Sequence, residues 1–138
     1  MPHRLLFICT GNSARSIMAE AILNHLGRGK YVAQSAGAKP SGIVNPLTIE
    51  TLRAYGIDTA GLHSKSLTQF LDQDFDTVIT VCDNARQSCP IWPGRTRMLH
   101  WSIDDPSEFR GTDDEKKAFF ERIYRDIEGR ISALIASP

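Results

Sequence analysis

Cysteine is scarce in this chain: Cys9, Cys82 and Cys89 are the three among 138 residues. The number is too small, and odd, for the disulfide framework of a small secreted domain. It leaves open three buried thiols, a metal site or a redox set. A surplus of either charge is also missing, because 16 Lys and Arg balance 16 Asp and Glu. A broadly basic footprint for nucleic acid or an anionic membrane is therefore absent. No block of like charge is long enough for a disordered tail. Long apolar runs are missing too, and none approaches the roughly 20 residues that cross a bilayer. The first short run, Leu5-Leu6-Phe7-Ile8, is shorter than the core of a signal peptide, and no small-residue cleavage site follows it. The expectation is a cytoplasmic monomer, with residues 1–138 forming one domain and with neither nucleic acid nor membrane as partner.

What is present alternates. Residues 5–8 read as a buried strand, a continuous apolar run closed by a glycine-bearing turn. Residues 13–26 read as a helix, with Ile17, Met18, Ala21, Ile22 and Leu26 at helical spacing and Gly27 at the C-cap. A second strand is expected over 31–36. Asn45-Pro46 starts a helix, Asn as cap and Pro at the first turn, that runs to Tyr55-Gly56. A short helix is expected over 67–71, a β-branched strand over 77–81 and a weaker strand over 96–99. Thr112 and Glu115 form a capping box ahead of a long C-terminal helix with Phe119, Phe120, Ile123, Ile127, Ile131 and Leu134 on one face. Strands alternating with helices predict an α/β fold, a small doubly wound parallel four-stranded sheet with helices on both faces. Ligands of such folds bind beyond the C-terminal ends of the strands. Cys9 and Cys82 each lie just past a strand, on the same rim.

After the first strand comes Cys9-Thr10-Gly11-Asn12-Ser13-Ala14-Arg15-Ser16. A loop that turns from a strand into a helix start directs several backbone N–H groups into one concavity, and the helix dipole adds positive charge. Arg15 supplies a planar fork for two oxygens of a tetrahedral anion. Gly11 permits close approach, and Asn12 tolerates a left-handed conformation. In that field the Cys9 thiolate is favoured, and its pKa is expected to fall from about 8.5 toward or below neutrality. The nucleotide fingerprints G-x-x-x-x-G-K-[ST] and G-x-G-x-x-G are both missing. Cys9 thus reads as a nucleophile beneath an oxyanion held by residues 10–16.

Two further segments carry candidate chemistry. Asp104-Asp105-Pro106 sits beside Trp101, where Pro106 restricts Asp105 to an extended conformation. By composition alone the segment is ordinary turn chemistry. Cys82 and Cys89 are seven positions apart, about 10 Å of rise on an unbroken helix. A disulfide needs Cα atoms within about 7 Å, so a helical segment would have to unwind to close one. A redox relay and plain packing of two buried thiols stand level for this pair. Zinc fits poorly, because no C-x2-C motif and no His pair at ligand spacing is present.

The loop, followed by Met18-Ala19-Glu20 and by Ser35-Ala36-Gly37, resembles the phosphate-binding loop of low-molecular-weight protein tyrosine phosphatases and of the arsenate reductases built on the same fold. The resemblance covers nearly the whole chain. It implies that Asp105, the aspartate before a proline, is the general acid. His100-Trp101 ahead of Asp104-Asp105-Pro106 is similar to the arsenate-reductase version. The phosphatases carry aromatic residues after that proline, where Ser107 and Glu108 stand here. The C-x6-C of Cys82 and Cys89 is similar to the thioredoxin-coupled arsenate reductases. The resemblance therefore implies arsenate reduced by Cys9, Cys82 and Cys89 in relay, with phosphate or sulfate as competing anions. It implies no bound cofactor, thioredoxin as external reductant and, as the alternative, glutaredoxin with glutathione. Arg15 would neutralise the anion, Ser16 would donate to Cys9, and Asn12 would hold the loop. The rival readings are a phosphatase using Cys9, Arg15 and Asp105, and a thiol or oxyanion sensor. Some members bind potassium near the loop. Asn12 and Ser35 match two of those positions, but the turn His63-Ser64-Lys65-Ser66 brings no carboxylate and adds a positive charge, so no metal site is expected.

Overall fold

A computed structural model of the chain describes residues 2–83 and 95–136. Cys89 and the rest of 84–94 lie outside the described residues. The elements are strand β1 (His3–Cys9), helix α1 (Arg15–Leu26), strand β2 (Tyr31–Gly37), helix α2 (Pro46–Ala54), strand β3 (Thr77–Thr80), strand β4 (Arg97–His100) and helix α3 (Asp113–Ala136). Two single-turn 3-10 helices, Leu67–Phe70 and Pro106–Glu108, join them.

The sheet has the order β2-β1-β3-β4, with every described pair parallel. Leu5, Leu6, Phe7 and Ile8 point alternately to the two faces, yet none has any exposed surface. Both faces of the central strand are therefore covered, which is why the run is apolar without alternation. Strand β4 lies at the edge, and its Arg97 and Met98 are exposed. That accounts for its weak signature.

The chain leaves β1 toward β2 on one side and returns to β3 on the other. The gap between the ends of β1 and β3 is the topological switch point, where an α/β sheet opens a crevice. Cys9 is the last residue of β1, and Cys82 follows β3 by two positions. Helix α1 packs on β1 and β2, and α3 packs across α1 and α2. Ile123, Tyr124, Ile127 and Ile131 carry the buried face of α3.

The caps follow local chemistry. Asn45 Oδ1 accepts from the Leu47 N–H at 2.9 Å, and Thr112 and Glu115 exchange bonds of 2.9 and 3.2 Å as a capping box. Helix α1 differs from expectation: it begins at Arg15 rather than 13, and Ala14 offers no side-chain cap. The reason lies in the loop before it.

Candidate active site

The loop between β1 and α1 is held from outside by its carbonyl groups. Those of Cys9, Thr10, Gly11 and Ser13 accept from the backbone N–H groups of Ala38, Lys39, Ser41 and Asn45, at 3.1, 2.9, 2.9 and 3.0 Å. Thr48 also donates its hydroxyl to the Ser13 carbonyl, at 3.0 Å. A planar trans peptide points its N–H opposite to its C=O. Turning these carbonyls outward therefore turns the N–H groups of Thr10, Gly11, Asn12 and Ala14 inward. The Asn12 N–H accordingly reaches Cys9 Sγ at 3.1 Å. Ser13 and Ala14 are spent on this turn, so the helix starts two residues later than the sequence pattern suggests.

Asn12 makes the turn possible. It has a φ of 48°, in the left-handed region that Asn tolerates better than most residues. Its side chain is buried, with Nδ2 donating to Ser16 Oγ at 2.8 Å and to Ser35 Oγ at 3.0 Å. Its Oδ1 accepts from the Lys65 backbone N–H at 2.7 Å.

Cys9 Sγ lies 2.8 Å from Ser16 Oγ, and the residue is only 2% exposed. Burial pushes the Cys9 thiol pKa up, and this outweighs the lowering by the Ser16 hydrogen bonds, the Arg15 charge and the Asn12 N–H. The expectation of a pKa near or below neutrality is therefore corrected. Loop and arginine do favour the thiolate, but the fold removes the sulfur from water, and desolvation opposes charge.

Arg15 faces this sulfur from the first turn of α1. Its Nη1 donates to the Ile103 carbonyl at 3.0 Å, and its Nη2 lies 3.4 Å from Asp105 Oδ2. Asp105 Oδ1 meanwhile accepts from the Ser107 N–H at 3.0 Å and heads the 3-10 turn Pro106–Glu108. The turn reading and the site reading of Asp105 thus describe one geometry. A pocket of about 180 Å3 is lined by Cys9, Gly11, Asn12, Ser13, Ala14, Arg15, Asp105, Ser41 and Ser107. The sequence did not point to Ser41, which arrives from a distant loop, and singled out Ser107 only as the residue after Pro106.

Cys82 is buried at the same rim, with Sγ 3.3 Å from Thr10 Oγ1. The next residue, Asp83, meets His100 Nε2 at 2.9 Å, while Thr80 Oγ1 lies 2.7 Å from His100 Nδ1. His100 therefore ties the start of the Cys82 segment to β3 and β4.

Beneath the loop, Ser35 donates to Glu20, and Lys65 Nζ lies 3.1 Å from Glu20 Oε1 and 3.0 Å from the His63 carbonyl. The sequence pattern gave no warning that Glu20 and Lys65 meet, 45 positions apart. A potassium ion placed by Asn12 and Ser35 would face the Lys65 ammonium here, so these residues do not fit one. Among the described residues, no group of three His, Cys, Asp or Glu side chains could hold a metal ion. No helix among them is long and apolar enough to cross a membrane.

A parallel four-stranded sheet carrying a cysteine and an arginine in one amide-lined loop defines a class of thiol-bearing, anion-binding α/β folds. Residues 4–137 match the family described as low molecular weight phosphotyrosine protein phosphatase, and the chain belongs to that family. Its curated relatives include an arsenate reductase of Halalkalibacterium halodurans, 39% identical over 92% of this chain and 91% of that protein. Among solved structures, the thioredoxin-dependent arsenate reductase of Corynebacterium glutamicum superposes with a TM-score of 0.78 at 30% identity, covering 99% of this chain and 61% of that one. The low-molecular-weight protein tyrosine phosphatase of T. tengcongensis gives 0.81 at 25% identity, covering 99% of each chain.

Proposed function

We propose that this chain reduces arsenate to arsenite with Cys9, Cys82 and Cys89, and that thioredoxin restores the thiols. The observation that carries the proposal is the second thiol. Cys82 Sγ stands 3.3 Å from the hydroxyl of Thr10, the residue next to Cys9. A phosphatase has no use for a thiol at that place. Relatives named arsenate reductase support the reading, as does a thioredoxin-dependent neighbour.

The proposed reaction begins with arsenate in the pocket, its oxygens held by the inward N–H groups of the loop and by Arg15. Cys9 is a thiol in the buried site, so its proton passes to an arsenate oxygen as the sulfur attacks arsenic. Asp105 delivers a second proton to the departing oxygen, which leaves as water. Cys82 then attacks Cys9 Sγ. The electron pair of the S–As bond leaves with arsenic, which departs as arsenite. Arsenic has gained two electrons, and Cys9 and Cys82 have become a disulfide. Cys89 attacks Cys82 in turn, freeing Cys9 and leaving Cys82–Cys89 as the disulfide. A thioredoxin dithiol reduces it in the cytoplasm, and no bound cofactor is needed.

The second reading, a phosphatase, uses Cys9, Arg15 and Asp105 alone, and the similarity to the T. tengcongensis phosphatase favours it. Ser107 and Glu108 stand where an aromatic contact for a phosphotyrosine ring would be needed. A sensor would need neither Asp105 nor a relay.

The test couples arsenate reduction to NADPH oxidation through thioredoxin and thioredoxin reductase, beside an arm with glutaredoxin and glutathione. Wild type should turn over with thioredoxin, Cys82→Ser should stop at the Cys9 adduct without releasing arsenite, and Cys89→Ser should release one arsenite and stop at the Cys9–Cys82 disulfide. Full turnover by both variants would sink the relay. Efficient cleavage of an aryl phosphate without arsenate reduction would establish the phosphatase, and neither activity would leave the sensor.

A further inference from the structure

A second layer of side chains supports the Cys9 loop, and the proposed reaction uses none of them directly. Two of its members, Lys65 and Glu20, are charged. Lys65 is 6% exposed, and its ammonium contacts Glu20 Oε1 at 3.1 Å, the His63 carbonyl at 3.0 Å and Ser35 Oγ at 3.4 Å. A buried ion pair is weak evidence for stability, because desolvating two charges offsets their attraction. Its place under the nucleophile suggests a different use.

The hydrogen positions in this layer are fixed by its partners. The Lys65 backbone N–H donates to Asn12 Oδ1 at 2.7 Å, which settles which end of the Asn12 amide is oxygen. Asn12 Nδ2 is then a donor, to Ser35 and to Ser16. Ser35 accepts from Asn12 and gives its one proton to the Glu20 carboxylate. Ser16 also accepts from Asn12, which leaves its one proton for Cys9 Sγ at 2.8 Å. The donors diverge from the Asn12 amide, one branch running through Ser35 to Glu20 and the other through Ser16 to the sulfur.

We propose that Lys65 and Glu20 are positioning residues for Cys9: their ion pair anchors Ser35 and Asn12, and so aims the Ser16 hydroxyl proton at the sulfur. The ammonium holds the Glu20 carboxylate in place, as the acceptor that takes the Ser35 proton. Without it, a half-buried carboxylate would lose its cation, and Ser35 and Asn12 would lose their common reference. Side-chain substitutions isolate this effect, because the backbone N–H of residue 65 still reaches Asn12. The inference deepens the proposed use of Cys9 as the nucleophile and rests on that reading.

The experiment follows alkylation of Cys9 by iodoacetamide against pH, in a Cys82→Ser/Cys89→Ser background where Cys9 is the only thiol. Arg15 and Asp105 face Cys9 in every variant, and Glu20 and Lys65 are the charges changed. Lys65→Met should move the alkylation profile to higher pH and slow the reaction at neutral pH about tenfold, the scale of one charge-assisted hydrogen bond. With the relay cysteines restored, kcat for arsenate reduction should fall by a similar factor and KM should change little. Ammonium or methylammonium chloride should recover much of the rate in Lys65→Ala, where it fills the vacated space, and tetramethylammonium should not. A wild-type profile in Lys65→Met would overturn the proposal. If that variant does not fold, Lys65→Met/Glu20→Gln carries the test without an unpaired buried charge. A wild-type profile in the pair would then overturn it. A wild type that ignores arsenate while the variants shift as expected would sink the arsenate reading and support the positioning role.

Discussion

Thr10 Oγ1 lies 3.3 Å from Cys82 Sγ, so the residue after the nucleophile is also the neighbour of the second thiol. Its carbonyl is bound outward by Lys39, which fixes the backbone while the side chain faces the rim. A Thr10→Val substitution keeps shape and backbone and deletes one hydroxyl. Cys82 would then lose a hydrogen-bond partner, with nothing changed at Cys9 or Arg15. Thioredoxin-coupled turnover should fall about tenfold, the scale of one such bond. Cleavage of an aryl phosphate, which needs only the loop, should stay near the wild-type rate. Equal losses in both assays would show that Thr10 serves the loop and not the relay.

Arg15 and Asp105 are joined by a contact of 3.4 Å, and each has a second anchor, Ile103 for the arginine and Ser107 for the aspartate. Asp105→Asn keeps an oxygen for the Ser107 N–H and keeps the turn. It removes the proton that the departing oxygen requires. The kcat should drop about a hundredfold or more, with the melting temperature little changed. Arg15→Lys should instead raise KM for arsenate, because a point charge replaces a fork held by the Ile103 carbonyl. A wild-type kcat in Asp105→Asn would remove Asp105 from the chemistry.

The sheet was legible because residues 5–8 of β1 are buried and apolar without a break, and β3, buried along its length, is β-branched throughout. The capping box at Thr112 and the cap at Asn45 were legible because each is local chemistry. The start of α1 was misread by two residues. The bonds that hold Ser13 out of the helix come from Asn45 and Thr48, far along the chain. Strand β4 was faint because an edge strand can expose Arg97 and Met98. In the site, Cys9 and Arg15 came from the loop motif and its strand-to-helix context, and Asp105 from the family resemblance alone. The ion pair of Glu20 with Lys65 did not, since no periodicity relates a helix to a turn 45 positions later. The Cys9 thiol was misjudged because charges could be counted from the sequence and burial could not.

The raised pKa of Cys9 makes stability depend on pH in a defined direction. Burial is the first cause, opposed by Ser16, Arg15 and Asn12. A thiol with a raised folded pKa holds its proton longer in the native state than in the unfolded chain. Its contribution is complete below the ordinary thiol range and is lost as pH rises through the folded value. Urea unfolding near neutral pH and at about pH 10 should therefore show a larger loss for wild type than for Cys9→Ser. The comparison cancels Cys82 and Cys89, which titrate in both proteins. A smaller loss in wild type would mean that the thiolate is the favoured form in the native site.

Gly37 ends β2 against the back of the loop. A Cβ there would stand 2.7 Å from the Thr10 carbonyl oxygen and 3.0 Å from Asn12 Cβ. Neither neighbour can yield freely, because the Thr10 carbonyl is bound by Lys39 and the Asn12 side chain by Ser16, Ser35 and Lys65. The added methyl would push the loop toward the pocket and tilt the N–H groups that receive the anion. Gly37→Ala should cost about 1–3 kcal/mol in stability, the scale of overpacking a tight contact. It should also raise KM for arsenate more than it lowers kcat, since Asp105 stands on a different segment. Sulfate protection of Cys9 from alkylation reads the same defect without turnover, and should need a higher sulfate concentration in the variant. Unchanged protection at reduced stability would mean that the loop keeps its shape and that only the sheet edge has moved.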